Sequence, residues 1–370
     1  MRIVFSGGGT GGHIYPALTI LRKLQELHPE VEVLYIGTDK GLESDIIPKE
    51  NIPFRTIRVS GFRRSLTIEN LRIAWQAAAS VCDAFAILKE FAPQVVVGTG
   101  GYVCGPVLLA AKLAGIPTMI QEQNVVPGMT NRILARLVNQ VAVGYEDAVA
   151  QFPISCHPAV CGNPVRPEVL SATREAGLES LGLDGTLPVL LVSGGSRGAR
   201  SINQAMLAVH QFFAAAGNLQ IVHVTGRQDY DTVVEGLAQA GISHGLGTRL
   251  QVHPYLYDMA NALAAADIAV FRAGAIALAE LTVRGIPGIL IPYPYAAANH
   301  QEWNARSVAQ AGAAVVIDDA SLSGASLTAA VQELLSDAKK RNEMKENSLR
   351  MSRPEAAADL AKIAWSLGRR

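Results

Sequence analysis

The sequence predicts an α/β protein made of two doubly wound parallel-sheet domains, and three observations carry the prediction. Short runs of almost wholly apolar residues recur, separated by amphipathic stretches long enough for a helix. The rhythm stops once, around residues 153–167, and then restarts. Each series opens on a strand that runs directly into a glycine loop. Strands that are apolar along their whole length belong to parallel sheets covered on both faces, joined by right-handed helical crossovers. A chain of 370 residues suits two domains of ~150 residues better than one. Hydrophobic residues make up 49% and charged residues 17%, enough apolar material for two cores and the wrong balance for a disordered chain.

Taken in order, the first strands fall at residues 2–6, 31–37, 54–59, 94–98, 117–122 and 140–144. They define a Rossmann-like first domain over residues 1–162. The segment ISCHPAVCGNPVRPE is rich in proline and has no helical period, which marks a linker. Strands then resume at 189–193, 220–225, 249–252, 268–271, 288–292 and 314–317, giving a second Rossmann-like domain over residues 163–351. The tail from 327 to 367 reads as helix, interrupted at Ser352-Arg353-Pro354 where proline stops it. The last helix, about 352–368, is expected to pack back on the first domain. The two domains are expected to face each other across a cleft.

Lys+Arg and Asp+Glu balance at 32 each, so no global field draws the chain onto nucleic acid. Cys82, Cys104, Cys156 and Cys161 match neither a zinc ribbon nor a CxxC pair and are too sparse for a secreted disulfide scaffold. That usage suits a reducing cytoplasm. The start, MRIVFSGGGTGG, has none of the ordered parts of a signal peptide, and no apolar run reaches the ~18 residues of a spanning helix. Any membrane contact is therefore expected from one side.

The first loop, Gly7-Gly8-Gly9-Thr10-Gly11-Gly12-His13, lies between the first strand and a helix expected to begin near Ile14, with Pro16 in its first turn. Glycines let backbone approach a ligand, and a helix N-terminus favours phosphate. Five glycines in six positions are more than a bare turn needs. The same loop satisfies Gly-x-Gly-x-x-Gly as Gly7, Gly9 and Gly12, with Asp39 placed as a ribose-binding acid, so a dinucleotide site competes. His13, where such a site needs a small residue, weighs against it. So do the further loops at residues 98–106 and 193–200, each following a strand and preceding a helix. In an open parallel sheet such loops line the ligand crevice. Residues 271–280 repeat the arrangement, and Glu280, two turns into that helix, is placed to accept ribose hydroxyls, the plainer reading being a surface glutamate. Pro292-Tyr293-Pro294 and the polar run at 299–304 suit sugar hydroxyls.

The ordered set GGGTGGH at 7–13, VGTGGYVCGP at 97–106, QEQN at 121–124, GNPVRPE at 162–168, GGSRGA at 194–199, RAGA at 272–275 and NHQEWNA at 299–305 resembles the MurG family of bacterial peptidoglycan glycosyltransferases, enzymes of GT-B architecture in glycosyltransferase family 28. The resemblance spans nearly the whole chain. It implies inverting transfer of GlcNAc from UDP-GlcNAc to the C4 hydroxyl of MurNAc in undecaprenyl-diphospho-MurNAc-pentapeptide (lipid I), forming lipid II, with no metal and no cofactor. It implies that Leu256 packs by uracil, that Ser196 and the turn of Ala275, Ile276, Ala277, Leu278 and Ala279 face the diphosphate, and that Glu280 holds the ribose. Gln301, with His300 and Asn304, would bind GlcNAc hydroxyls, and Thr10, Gly11, Gly12, Asn124 and Arg166 would join the donor site. The acceptor diphosphate would sit on Gly9, Gly11, Gly12, His13, Gly100, Gly101 and Tyr102.

Two departures from the family pattern are Ala273 and Ala277, where it commonly has hydroxyl side chains; backbone N–H groups must then carry more of the diphosphate. Inversion is one displacement with a base on the attacking hydroxyl. His13 suits that base, since imidazole titrates near ~6.5, with phosphate binding or a structural role as the competing readings, and Tyr102 suits positioning. Arg272 or Arg166, with the 275–279 helix start, would stabilise the leaving diphosphate. The remaining histidines, His28, His157, His210, His223, His244 and His253, show no ligand spacing and read as structural. Phe62-Arg63-Arg64 through Trp75 mixes basic and large apolar residues, as expected of peripheral attachment to the cytoplasmic face of the cell membrane, the plainer reading being a core helix with solvated arginines; the resemblance adds a cell-wall synthesis complex as a partner. A different GT-B glycosyltransferase, a UDP-sugar epimerase or a dinucleotide-binding protein are the alternatives.

Overall fold

The structure, a computed structural model, describes residues 1–59 and 69–369, with the backbone alone for 69–77. The stretch Phe62 to Ile68 of the proposed membrane segment lies outside the described residues. The chain divides into two compact units, Met1–Pro164 with Arg353–Arg370, and Val165–Ser352.

The first unit carries a seven-stranded parallel sheet of β1 (Arg2–Gly7), β2 (Glu32–Gly37), β3 (Phe54–Thr56), β4 (Val95–Gly100), β5 (Thr118–Glu122), β6 (Gln140–Val143) and β7 (Ala159–Val160), in the order β3-β2-β1-β4-β5-β6-β7. Alternate residues feed opposite layers: Ile3 and Phe5 join one core with Leu21 and Leu24, while Val4 joins the other with Leu88, Val107 and Leu108. The second unit carries six parallel strands, β8 (Val189–Ser193), β9 (Gln220–Val224), β10 (Leu250–His253), β11 (Ile268–Phe271), β12 (Gly288–Leu290) and β13 (Ala314–Val316), in the order β10-β9-β8-β11-β12-β13. Both sheets reverse direction of growth beside their first strand, between β1 and β4 and between β8 and β11. Ligand crevices open at such switch points, outside the carboxyl ends of the strands.

The two doubly wound parallel sheets of the expectation are thus present, with local differences. β3 stops at Thr56 rather than residue 59, because its partner β2 ends at Gly37, whose carbonyl accepts the last ladder bond from Ile57 N–H at 3.0 Å. The proline-rich segment contains β7, two residues paired to β6 through Ala142 and Ala159. The tail breaks a second time at Asp337, whose side chain caps the helix Ala338–Met351 by accepting from Lys340 N–H. The final helix, Ala356–Leu367, buries Leu360, Ala361, Ala364 and Leu367 in the core that holds Ile3 and Phe5, and Trp365 stacks on His28 with ring centroids 3.5 Å apart. Among the described residues no helix is long and apolar enough to cross a membrane.

Candidate active site

In the first unit the loops after β1 and β4 meet, with Gly8 N–H donating to Gly100 O at 3.3 Å. The β1–β4 register slips at this point: Ser6 pairs with Gly98 but Gly7 with Gly100, leaving Thr99 without a counterpart. Gly101 has φ +84°, and a Cβ there would stand 2.3 Å from Gly8 O, so the two loops touch only because residue 101 lacks a side chain. The following helix starts at Gly11, three residues before the expected Ile14, behind an extended Thr10 that does not cap it. Pro16 therefore lies inside the helix, not in its first turn, and the carbonyl left without an i+4 partner is that of exposed Gly12.

His13 is a first-turn residue, half-buried, with Nδ1 3.0 Å from Gln123 Oε1 and 3.1 Å from Thr99 O. Thr99 Oγ1 donates back to His13 O at 2.7 Å. Gln123 Nε2 faces Thr99 O at 2.7 Å, Gln121 O at 3.0 Å and Gln121 Oε1 at 2.5 Å. Gln121 Nε2 donates to Asn163 Oδ1 at 3.0 Å, and Asn163 Nδ2 donates to Gln123 O at 2.9 Å. All three amides are buried.

Beneath the first loop lies Glu43, fully buried, accepting from Gly9 N–H at 3.0 Å, Thr38 N–H at 3.2 Å and Thr38 Oγ1 at 2.7 Å. Thr38 Oγ1 is in turn 3.4 Å from the Tyr102 hydroxyl, which places Tyr102 beside the loop. Asn124 is held by Glu122: Oε1 accepts its N–H at 2.9 Å and its Nδ2 at 3.0 Å, and Oε2 accepts from Gly128 N–H and Asn131 Nδ2. Cys104 is inert in this setting, since burial pushes its thiol up to about 11. Among the described residues all four cysteines are unpaired.

The second unit repeats the device. β8 ends in the exposed Gly195, Ser196 and Arg197 ahead of the helix Arg200–Ala216. β11 ends beside it, Arg272 N–H reaching Ser193 O at 3.4 Å. The helix Ala275–Val283 then starts behind extended Gly274 with no side-chain cap, and the space in front of Gly274 is open. Its first-turn N–H groups and dipole make an anion seat that owes nothing to Ala273 or Ala277. Two turns on, buried Glu280 accepts from Arg166 Nε at 2.8 Å.

Other candidate residues make bonds within the second unit. The Arg272 guanidinium, one of the two candidates for the leaving diphosphate, donates to Ile291 O and Pro292 O at 3.1 Å, to Asp319 Oδ1 at 2.6 Å and to Ser201 Oγ at 2.9 Å, so it ties the end of the strand down. Asn304 is fully buried and reaches Ala273 O at 3.3 Å, supporting the turn before the anion seat. Gln301 Oε1 accepts from Tyr293 N–H at 3.0 Å, one turn of helix from Asn304, and His300 opens that helix. Leu256 lies half-buried between Tyr255 and Tyr257, whose rings meet edge to face at 4.8 Å. Of the remaining histidines, burial pushes His210 down to about 4 and holds His223 well below the usual imidazole range. Sequence reasoning gave no role to Glu43, Thr99 or Gln123, although Thr99 lies in the VGTGGYVCGP run and Gln123 in QEQN.

Two parallel sheets in one chain, each presenting uncapped helix starts and glycine loops at its carboxyl rim, define a two-unit Rossmann-like enzyme of the GT-B class. The glycosyltransferase family 28 N-terminal domain description matches residues 3–143, and the family's C-terminal domain description matches residues 189–360. A UDP-N-acetylglucosamine--N-acetylmuramyl-(pentapeptide) pyrophosphoryl-undecaprenol N-acetylglucosamine transferase of Desulforamulus reducens is 49% identical over 98% of this chain and 97% of its own length. The protein of the same name from Listeria welshimeri is 46% identical over 99% of each chain. The crystal structure of Acinetobacter baumannii MurG superposes with a TM-score of 0.80 at 27% identity, covering 99% of both chains. The chain belongs to glycosyltransferase family 28.

Proposed function

We propose that the chain transfers GlcNAc from UDP-GlcNAc to the MurNAc C4 hydroxyl of lipid I, producing lipid II and UDP with inversion at the anomeric carbon and without metal. The observation that carries this reading is identity of 49% sustained over nearly the full length of a relative named for that reaction. The geometry supports a division of labour. The second unit takes the donor: Leu256 at the uracil, Glu280 with Arg166 at the ribose, the Ser196 loop and the Ala275–Val283 helix start at the diphosphate, and Gln301 and His300 at the sugar. The first unit takes the acceptor diphosphate on the loops around Gly9, Gly11, Gly12, Gly100 and Gly101. The helix start is preorganised for charge that develops as UDP leaves.

In the chemical step the acceptor oxygen bonds to the anomeric carbon while the bond from that carbon to the UDP oxygen breaks, its electron pair leaving with UDP. The hydroxyl proton passes to His13. Tyr102, hydrogen-bonded to Thr38, orients the hydroxyl. The basic and apolar stretch from Phe62 to Trp75 holds the enzyme peripherally on the cytoplasmic face of the membrane where lipid I is presented, in company with other cell-wall synthesis proteins.

The test is UDP release by the full-length protein from UDP-GlcNAc and vesicle-borne lipid I. Release should require lipid I, persist in chelator, and fall by ~10²–10⁴ in His13→Ala, the range a positioned base contributes, with UDP affinity unchanged. Consumption of UDP-GlcNAc without lipid I would instead identify an epimerase or hydrolase, and loss of activity in chelator would remove the metal-free mechanism.

A further inference from the structure

We propose that Gln123 is a positioning residue that fixes the tautomer of His13, so that Nδ1 carries the ring proton and Nε2 keeps the lone pair. The proposal rests on the reading of His13 as base and goes one step deeper, to the nitrogen that acts. It follows from the direction of a buried chain of amides. The chain is anchored at the main-chain carbonyl of Gln123, which only accepts, so the atom of Asn163 at 2.9 Å from it is the amide nitrogen. Asn163 Oδ1 therefore faces Gln121, whose nitrogen donates to it at 3.0 Å. That turns Gln121 Oε1 toward Gln123, and the end of Gln123 that meets it also meets Thr99 O and Gln121 O.

Three oxygens around one end of an amide admit only the NH₂ group there, so a flipped Gln123 is excluded by its surroundings. Its Oε1 consequently points at His13 Nδ1, and the second neighbour of Nδ1, Thr99 O, is also an acceptor. A ring nitrogen between two acceptors must donate, and a neutral imidazole has one proton to give. The lone pair is left on Nε2. When Nε2 takes a proton, the Nδ1–H bonds to Gln123 and Thr99 persist and support the imidazolium, so no rearrangement accompanies the transfer.

The experiment is two-bond ¹H–¹⁵N correlation on the full-length protein with ¹⁵N-labelled histidine, the His13 signals assigned by their loss in His13→Gln. In its neutral form His13 should show protonated Nδ1 and bare Nε2; the opposite pattern in the wild-type protein would overturn the proposal without need of any variant. Gln123→Met should raise the Nε2–H fraction several-fold and lower kcat roughly 10-fold, a part of the ~10²–10⁴ that a positioned base contributes, with the UDP-GlcNAc KM unchanged. Gln123→Glu, protonated, puts its O–H among the three acceptors and its carbonyl oxygen on Nδ1, and should restore both the tautomer and most of kcat. A Met variant with wild-type tautomer and kcat would overturn the proposal. If the tautomer shifts in Gln123→Met while His13→Ala keeps full activity, the lock stands and the reading of His13 as base falls.

Discussion

Glu280 sits with 10% of its side chain exposed and Arg166 Nε 2.8 Å from one carboxylate oxygen, so its charge is both desolvated and compensated. Such a carboxylate, oriented before any ligand arrives, is suited to accept paired hydroxyls, which a loosely held glutamate is not. Glu280→Gln keeps the shape and removes the charge. Since hydrogen bonds to charged groups contribute ~1.5–3 kcal/mol, UDP should bind about 10- to 100-fold more weakly by calorimetry. Unaltered affinity would take the ribose away from Glu280. A side chain of this kind stands out in the sequence where its type is rare on an apolar helix, as Glu280 is, and the structure shows it buried and paired. It is illegible where the role depends on partners distant in sequence: nothing in the spacing of Gln121, Gln123 and Asn163 announces a directed amide chain, and the acceptors that hold Arg272 within its own unit, two main-chain carbonyls and Asp319, leave no mark in the sequence.

At the level of elements, strands were the readable part, because a parallel strand buried on both faces must be apolar throughout. Helix starts were harder. Gly11 and Gly12 are poor helix formers, yet the first helix includes them, since Thr10 ends the loop in an extended conformation and the sheet fixes where the chain turns. β7 escaped because two residues make no period. The contact between the two loops of the first unit is an element-scale property with a direct test. Gly101→Ala puts a methyl group against Gly8 O in a left-handed backbone, and the first unit should lose on the order of 2 kcal/mol or more in denaturant titration. UDP affinity should be unaffected, as the donor site proposed above belongs to the other unit. A variant as stable as the parent would mean that the loops part without cost.

Across the whole molecule, the first unit is assembled from both ends of the chain. Removing residues 353–370 would strip Leu360, Ala361, Ala364 and Leu367 from the core around Ile3 and Phe5. Burial of a leucine side chain is worth ~1.5–3 kcal/mol, and domains keep only ~5–15 kcal/mol in hand. A chain ending at Ser352 should therefore lose cooperative unfolding of the first unit, while the fragment 165–352 unfolds cooperatively on its own; calorimetry on the two fragments distinguishes these outcomes, and an intact first unit without its last helix would refute the argument.

The two crossings between units lie side by side. A Cβ on Gly162, which has φ +87°, would stand 2.4 Å from the Cβ of Arg353. In wiring terms the second unit is a cassette spliced into one loop of the first. Synthesis on the ribosome runs strictly from the amino end, so the segment that completes the first unit emerges only after every residue of the cassette. The unit encoded first is then the one finished second, and its nascent sheet must wait, one face only partly covered by the first helix, for residues 353–370.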